Sequence, residues 1–293
     1  MSLFREMCDT LTLDFEDESH AIGQSIDMGW GRVFGGQVIG QAIAMAQHQV
    51  TEQSIHSIHG HFIRTGDVQH PVHYHKSLLR KGRTYSMYRI EALQKEHLIF
   101  HAMISLQTPE KGVQHQKNAP QVPKADDLPS YNQTLRAMVG TFSEERKSNI
   151  SQLWLDRLYQ EPPIQVKPIQ PQNFLAPDTQ QAKRLLWFKS SDLLPADPFI
   201  HQKVLAWISD FPMLGTALQP SGIYPVSPQM KMTSLDHSIW FYDDFSCNEW
   251  LLMSCYSPVS GAGRGLTFAE IYRQDGTLVA CCSQEGMLRT RTS

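Results

Sequence analysis

One stretch restricts the possible folds more than any other: Gln37-Val38-Ile39-Gly40-Gln41-Ala42-Ile43-Ala44-Met45-Ala46-Gln47 is apolar around nearly the whole circumference of a helix, with only Gln37 and Gln41 polar in its first turns. A helix apolar on all sides is a buried one. At 1.5 Å per residue it spans about 20 Å, the width of one small sheet. A sheet wrapped around this helix is the economical way to bury it.

The flanking sequence supplies that sheet. Residues Ala21 to Ile26 read as a short strand, and a connector through Gly35-Gly36 leads into the helix. After it come β-branched and aromatic runs, Ser57 to Arg64, Val72 to Leu79, Tyr85 to Leu93 and Leu98 to Gln107, with turns at Gly66-Asp67, Lys81-Gly82 and Lys95-Glu96. From Thr108 to about Gln181 prolines are scattered through polar sequence, and only Tyr131 to Val139 and Ile150 to Tyr159 carry helical periodicity. The first order of elements then returns: a strand over Arg184 to Lys189, a helix over His201 to Ser209, and strands over Ser234 to Tyr242, Trp250 to Tyr256, Arg264 to Tyr272 and Leu278 to Leu288. Gly82-Arg83 is echoed by Gly263-Arg264, and Leu98-Ile99-Phe100 by Leu278-Val279-Ala280. Two fused copies of one α+β unit are expected, as residues 1–108 and 182–293, with 109–181 as a linker region bearing short helices.

The run Arg32-Val-Phe-Gly-Gly-Gln-Val-Ile-Gly-Gln-Ala42 resembles the acyl-CoA thioesterase II family. Further matches follow in the family's order and spacing: His59 to Asp67, Ser234-Leu-Asp-His-Ser-Ile-Trp-Phe241, Asn248-Glu-Trp-Leu-Leu252, Arg264-Gly265, Tyr272 to Gly276 and Gln284-Glu-Gly286. The resemblance covers both halves and implies a double hotdog, two antiparallel sheets each wrapping a central helix. It also implies hydrolysis of medium- to long-chain acyl-CoA, with a catalytic set that falls here on Asp210, Ser234 and Gln284; Ser stands where the family also uses Thr, and the hydroxyl is kept.

Hydrolysis of a thioester by water needs a group to take the water's proton, polar groups to hold the water, and donors for the oxyanion. Asp210 can serve as base, while Ser234 and Gln284 both donate and accept. Backbone N–H groups at Gly35-Gly36, beside a helix N-terminus, suit an oxyanion. Gly35, Gly36, Gln37 and Arg264 are the candidate substrate contacts. Taken singly, Asp210 reads as a helix end before Pro212, Ser234 as the start of a strand and Gln284 as a solvated strand position. No carboxylate occurs between Arg32 and Val50, so one active site per chain is expected.

Other constellations carry less. Asp236-His237-Ser238 spells a hydrolase triad, yet successive strand residues face opposite ways. His56, His59, His61, His70, His73 and His75 cluster with few nearby carboxylates, and no metal or cofactor is expected. Trp187, Trp207, Trp240, Trp250, Phe211 and Met213 are candidate acyl-tunnel residues, with the core as the plainer reading.

A formal net charge of −3 offers no basic field for a nucleic acid. Five cysteines without C-x-x-C spacing read as reduced thiols, and charges within Met1 to Phe15 interrupt any signal-peptide core. A cytoplasmic enzyme without a membrane span is expected, as a homo-oligomer of two or more chains because an outer sheet face seeks a partner. The competing readings are a non-catalytic acyl-CoA binding or sensing protein, which loss of Asp210, Ser234 or Gln284 would favour, and a hotdog hydratase or dehydratase. The latter needs a His beside an Asp, and His201 lies far from Asp210 in sequence.

Overall fold

A computed structural model describes residues 2–148, 150–170, 179–223 and 230–290. The first half comprises α1 (Leu3–Thr10), β1 (Leu13–Phe15), β2 (His20–Gly23), α2 (Gly35–Gln47), β3 (Ser54–Phe62), β4 (Val72–Lys81), β5 (Tyr85–Gln94) and β6 (His97–Gln107). Then follow α3 (Tyr131–Gly140), α4 (Glu144–Ser148), α5 (Gln152–Leu158) and β7 (Ile164–Pro168). The second half contains β8 (Lys183–Ser190), α6 (Pro198–Ser209), α7 (Met213–Leu218), β9 (Met230–Ser234), β10 (Asp236–Phe241), β11 (Leu251–Gly261), β12 (Arg264–Tyr272) and β13 (Leu278–Thr290).

Each half is an antiparallel sheet curled around its own helix, the α+β double hotdog arrangement. The two half-sheets meet edge to edge, β3 pairing with β10 from Asp236↔His61 to Trp240↔Ser57. The result is one continuous thirteen-stranded sheet in the order β1-β2-β4-β5-β6-β3-β10-β13-β12-β11-β8-β7, with β9 added to β13. Fusing the halves through a ladder leaves neither inner edge unpaired.

Inside the sheet α2 and α6 run antiparallel in close contact. Glycines one turn apart on α2 permit it: a Cβ at Gly36 would collide with the Trp207 carbonyl oxygen, and one at Gly40 would stand 3.1 Å from that of Lys203. α6 starts on Asp197, whose carboxylate accepts from Phe199 N–H at 3.0 Å, with Pro198 as its first residue. It ends at Asp210, just before Pro212. α2 begins two residues earlier than the sequence suggests, so Gly35 and Gly36 form its first turn, and its N-cap residue Phe34 makes no side-chain cap.

Two expectations need correction. The strand read over Ser234 to Tyr242 is broken at Leu235: β9 pairs with β13 alone, while β10 pairs with both β13 and β3. The region 109–181 holds β7 as well as helices, and β7 extends the sheet beyond β8. Part of that region also packs on the outer face of the second half, where Ala119, Val122, Ala125 and Leu128 contact a cluster built on Trp187, Trp250, Leu252 and Tyr272.

Candidate active site

Where the N-terminus of α2 meets the C-terminus of α6, Asp210 lies among groups drawn from four elements. Its Oδ2 accepts a hydrogen bond from Gly36 N–H at 3.0 Å. Its Oδ1 accepts from the Ser234 hydroxyl at 3.4 Å and, at shorter range, from Gln284 Nε2. Gln284 Nε2 also donates to Ser234 Oγ at 3.0 Å, closing a three-residue ring of polar contacts. The three residues that the resemblance singled out therefore converge, although Ser234 is 24 residues and Gln284 74 residues from Asp210 along the chain.

Local structure aims each of them. Asp210 is the C-cap of α6, so its carboxylate projects past the helix end toward the uncapped first turn of α2. Ser234 is the last residue of β9, opposite Gly286, and the break at Leu235 frees it from the β10 ladder. Gln284 is fully buried and faces inward like Ala280 and Cys282 on the same strand. A glutamine in that row is the period-two signal that it works on the core side and is not a solvated strand residue.

Burial pushes the Asp210 carboxyl above its usual range, while hydrogen bonds from Gln284, Gly36 and Ser234 and the charge of Arg32 pull it back down. The outcome is a carboxylate more basic than a surface aspartate, held by directed donors. Arg32 acts on this site through its charge and the Gly36 N–H through its hydrogen bond, and no local pattern displays either.

The other candidates lie differently. Gly36 N–H is engaged by Asp210, which leaves Gly35 N–H as the remaining glycine donor in that turn; a Cβ at Gly35 would sit 2.7 Å from Asp210 Oδ2. Gln37 turns away from the site: its Oε1 accepts from Ile26 N–H, and its Nε2 donates to Gln24 O and Ser25 Oγ. That amide ties α2 to the loop after β2, because a buried glutamine must be satisfied locally. Arg264 pairs with Glu285 at 2.9 Å and is half exposed. Arg264 lies opposite Met287 and Glu285 opposite Leu266, the residues alternating with the inward Gln284, so the ion pair is on the outer face of the sheet.

Asp236, His237 and Ser238 diverge as their strand dictates. His237 is buried and meets Ser209 Oγ at 2.9 Å, Asp236 accepts from Glu285 N–H, and Ser238 meets His59. Among the described residues no group of three His, Cys, Asp or Glu side chains is placed to hold a metal ion. Of the aromatic candidates, Phe211 lines a cavity with Ile208, Tyr131, Leu185, Leu186 and Pro212, next to Asp210 in the chain. Trp207 instead packs on Phe34, and Trp187 and Trp250 lie under the linker segment.

The chain has relatives that match this architecture. Residues 159–287 match the model of the family described as acyl-CoA thioesterase, and residues 25–107 that of the acyl-CoA thioesterase N-terminal domain. "Acyl-CoA thioesterase 2" of Haemophilus influenzae is 35% identical over 280 residues, covering 95% of each chain. The chain belongs to the acyl-CoA thioesterase family. "Acyl-coenzyme A thioesterase 8" of Homo sapiens is 33% identical over 288 residues, which cover 96% of this chain and 88% of the relative. The crystal structure of the acyl-CoA thioesterase II TesB2 from Mycobacterium marinum superposes with a TM-score of 0.75 at 31% identity, over 98% of this chain and 99% of that one. This thioesterase is accordingly a hydrolase of acyl-CoA thioesters, and no helix among its described residues is long and apolar enough to cross a membrane.

Proposed function

We propose that the enzyme cleaves medium- to long-chain acyl-CoA by direct attack of water, with Asp210 as general base and Ser234 and Gln284 as the groups that hold the water. The observation that carries this reading is the convergence of Gly36 N–H, Ser234 and Gln284 on the carboxylate of Asp210. As the water oxygen bonds to the thioester carbon, its proton passes to Asp210 and the carbonyl oxygen becomes an oxyanion. Gly35 N–H, at the positive end of α2, is the donor in position to meet that charge. Collapse of the intermediate breaks the carbon–sulfur bond, the proton held by Asp210 goes to the sulfur, and a fatty acid and coenzyme A leave.

The cavity lined by Leu185, Leu186, Ile208 and Phe211, the last two flanking Asp210 in the chain, offers a largely apolar surface, which suits the apolar chain of the substrate. We assign residues 1–108 and 182–293 to the two lobes and 109–181 to the linker, and we place the enzyme in the cytoplasm. A homo-oligomer is also proposed, because the outer face of the first half carries exposed Tyr85 and Met87.

Thiol release measured across acyl-CoA lengths tests the reading. Turnover is expected to rise from short to medium and long chains, and Asp210→Asn is expected to lower kcat by about 10²- to 10⁴-fold, the usual share of a general base. Unchanged hydrolysis by Asp210→Asn overturns the base assignment, whereas a wild-type chain that binds acyl-CoA without releasing thiol favours the binding or sensing alternative. Light scattering on the purified chain tests the assembly, and a monomer at micromolar concentration removes that part.

A further inference from the structure

Two buried polar atoms near the base have no hydrogen-bond partner among the described residues: the hydroxyl of Thr267 and the amide oxygen of Gln284. Both side chains are completely buried. They also stand directly opposite one another, since Thr267 and Gln284 are register partners in the β12–β13 ladder and face the inside of the sheet. Opposed residues of an antiparallel pair have Cβ atoms about 4.5–5.5 Å apart. A hydroxyl rotor and a glutamine amide span that gap with small torsional changes. Their chemistry is complementary, because a hydroxyl can donate whereas an amide oxygen only accepts. Either atom left unpaired in the core carries the desolvation penalty of a buried polar group, so one bond between them relieves both.

We propose that Thr267 is a positioning residue for the reaction: its hydroxyl donates to Gln284 Oε1 and holds the amide with its NH2 toward Asp210 and Ser234. The inference rests on the water-holding role given to Gln284 above. A primary amide is nearly symmetrical in shape, and only its outer contacts decide which end points inward. Once Asp210 has taken the proton from water, a turned amide would accept that proton's hydrogen bond and trap the base in its neutral form. A donor on the Oε1 side opposes that turn. Thr267 reads as an ordinary inward strand residue until its partner across the ladder is known to be the working glutamine.

The test uses the full-length enzyme and thiol release from a medium-chain acyl-CoA. Thr267→Val, which keeps the shape and removes the donor, is expected to lower kcat about tenfold with KM within about twofold. It should also move the acid limb of the kcat profile to higher pH, because the Gln284 bond is one of the interactions that hold the Asp210 carboxyl down. Other buried titratable groups on adjoining elements leave that limb clear: burial pushes the Cys255 thiol up to about 12, raises Cys282 well above its usual value, and lowers His237 to about 3. Thr267→Ser should restore wild-type behaviour, and in a Gln284→Met background Thr267→Val should cause no further loss. Wild-type kcat and pH profile in Thr267→Val overturn the proposal, as does a Thr267→Ser enzyme no better than Thr267→Val. If Thr267→Val does not fold, Thr267→Ala takes its place with the same readouts. Asp210→Asn assayed in parallel separates the two readings: its inactivity beside an unaffected Thr267→Val removes only the role of Thr267, whereas its full activity removes the base itself.

Discussion

In the proposed reaction Asp210 concentrates the chemistry, and its surroundings set opposing forces on one proton. Burial favours the neutral acid, and the donors Gln284, Gly36 and Ser234 favour the carboxylate. In the proposed reaction the rate needs the carboxylate, so activity should fall as pH drops through the raised Asp210 value, above the acid limb of an ordinary aspartate. Ser234→Ala removes one donor and should move the limb further up; a downward move would mean that the limb belongs to another group. His237 offers a separate reading, of stability. Burial lowers it from 6.5 to about 3, so between those values the unfolded chain binds a proton that the folded chain refuses. Its contribution is complete above about pH 6.5 and is lost at about 1.4 kcal/mol per pH unit as pH falls toward 3. Urea unfolding of His237→Gln should therefore decline less between pH 6 and pH 4 than the wild type, and equal declines would disprove the assignment. The three central residues were legible only through family resemblance, since each alone reads as a cap, a strand start or a solvated position. Gly36 N–H was legible as a donor but not as the partner of a carboxylate 174 residues away, and nothing local to Gln37 reveals the Ile26 N–H and Gln24 carbonyl that its amide meets.

At the scale of elements, the contact between α2 and α6 places the proposed base, Asp210. Gly36 and Gly40 let the α2 backbone approach Trp207 and Lys203 on α6, and this approach brings the first turn of α2 within hydrogen-bond reach of Asp210. Gly40→Ala adds a methyl group facing the Leu11 side chain and the Lys203 carbonyl oxygen. Overpacking of that kind costs about 1–3 kcal/mol, and an outward shift of α2 should lower kcat as well as the unfolding midpoint. A variant with wild-type stability and kcat would show that the helices have slack. The buried helices and most strands were readable because their apolar patterns are long and their periods distinct. α7 and β7 were not: six and five residues give too little pattern, and β7 sits among prolines that mimic a linker. The break at Leu235 escaped as well. It arises where β13 exchanges β10 for β9 as its neighbour, a demand of tertiary pairing that the local composition does not record.

For the whole molecule, two copies of one unit related by the antiparallel helices would create two similar helix-end junctions, yet their chemistry differs. At the described junction the N-terminus of α2 lacks a side-chain cap and gives its N–H to Asp210. At the other, α6 is capped by its own Asp197 and begins with Pro198, which has no N–H to offer. The C-cap of α2 is His48, whose ring stacks on Phe15 at 3.6 Å. The echo of Leu98 by Leu278 sets Gln284 against Ile104, a fully buried apolar residue. The second junction thus holds His48 and Ile104 where the first holds Asp210 and Gln284, and its helix start is already capped, so the first lobe serves by supplying the α2 donors and the β3 edge. Titration with a non-hydrolysable acyl-CoA thioether, followed by calorimetry, should therefore saturate at one equivalent per chain. Asp210→Asn should keep that stoichiometry while losing turnover, since in the proposed reaction the carboxylate acts on water and not on the thioester's handle. Saturation at two equivalents would mean that the helix ends are not what selects the acyl thioester, and that the duplicated fold retains two binding sites of which only one can use water.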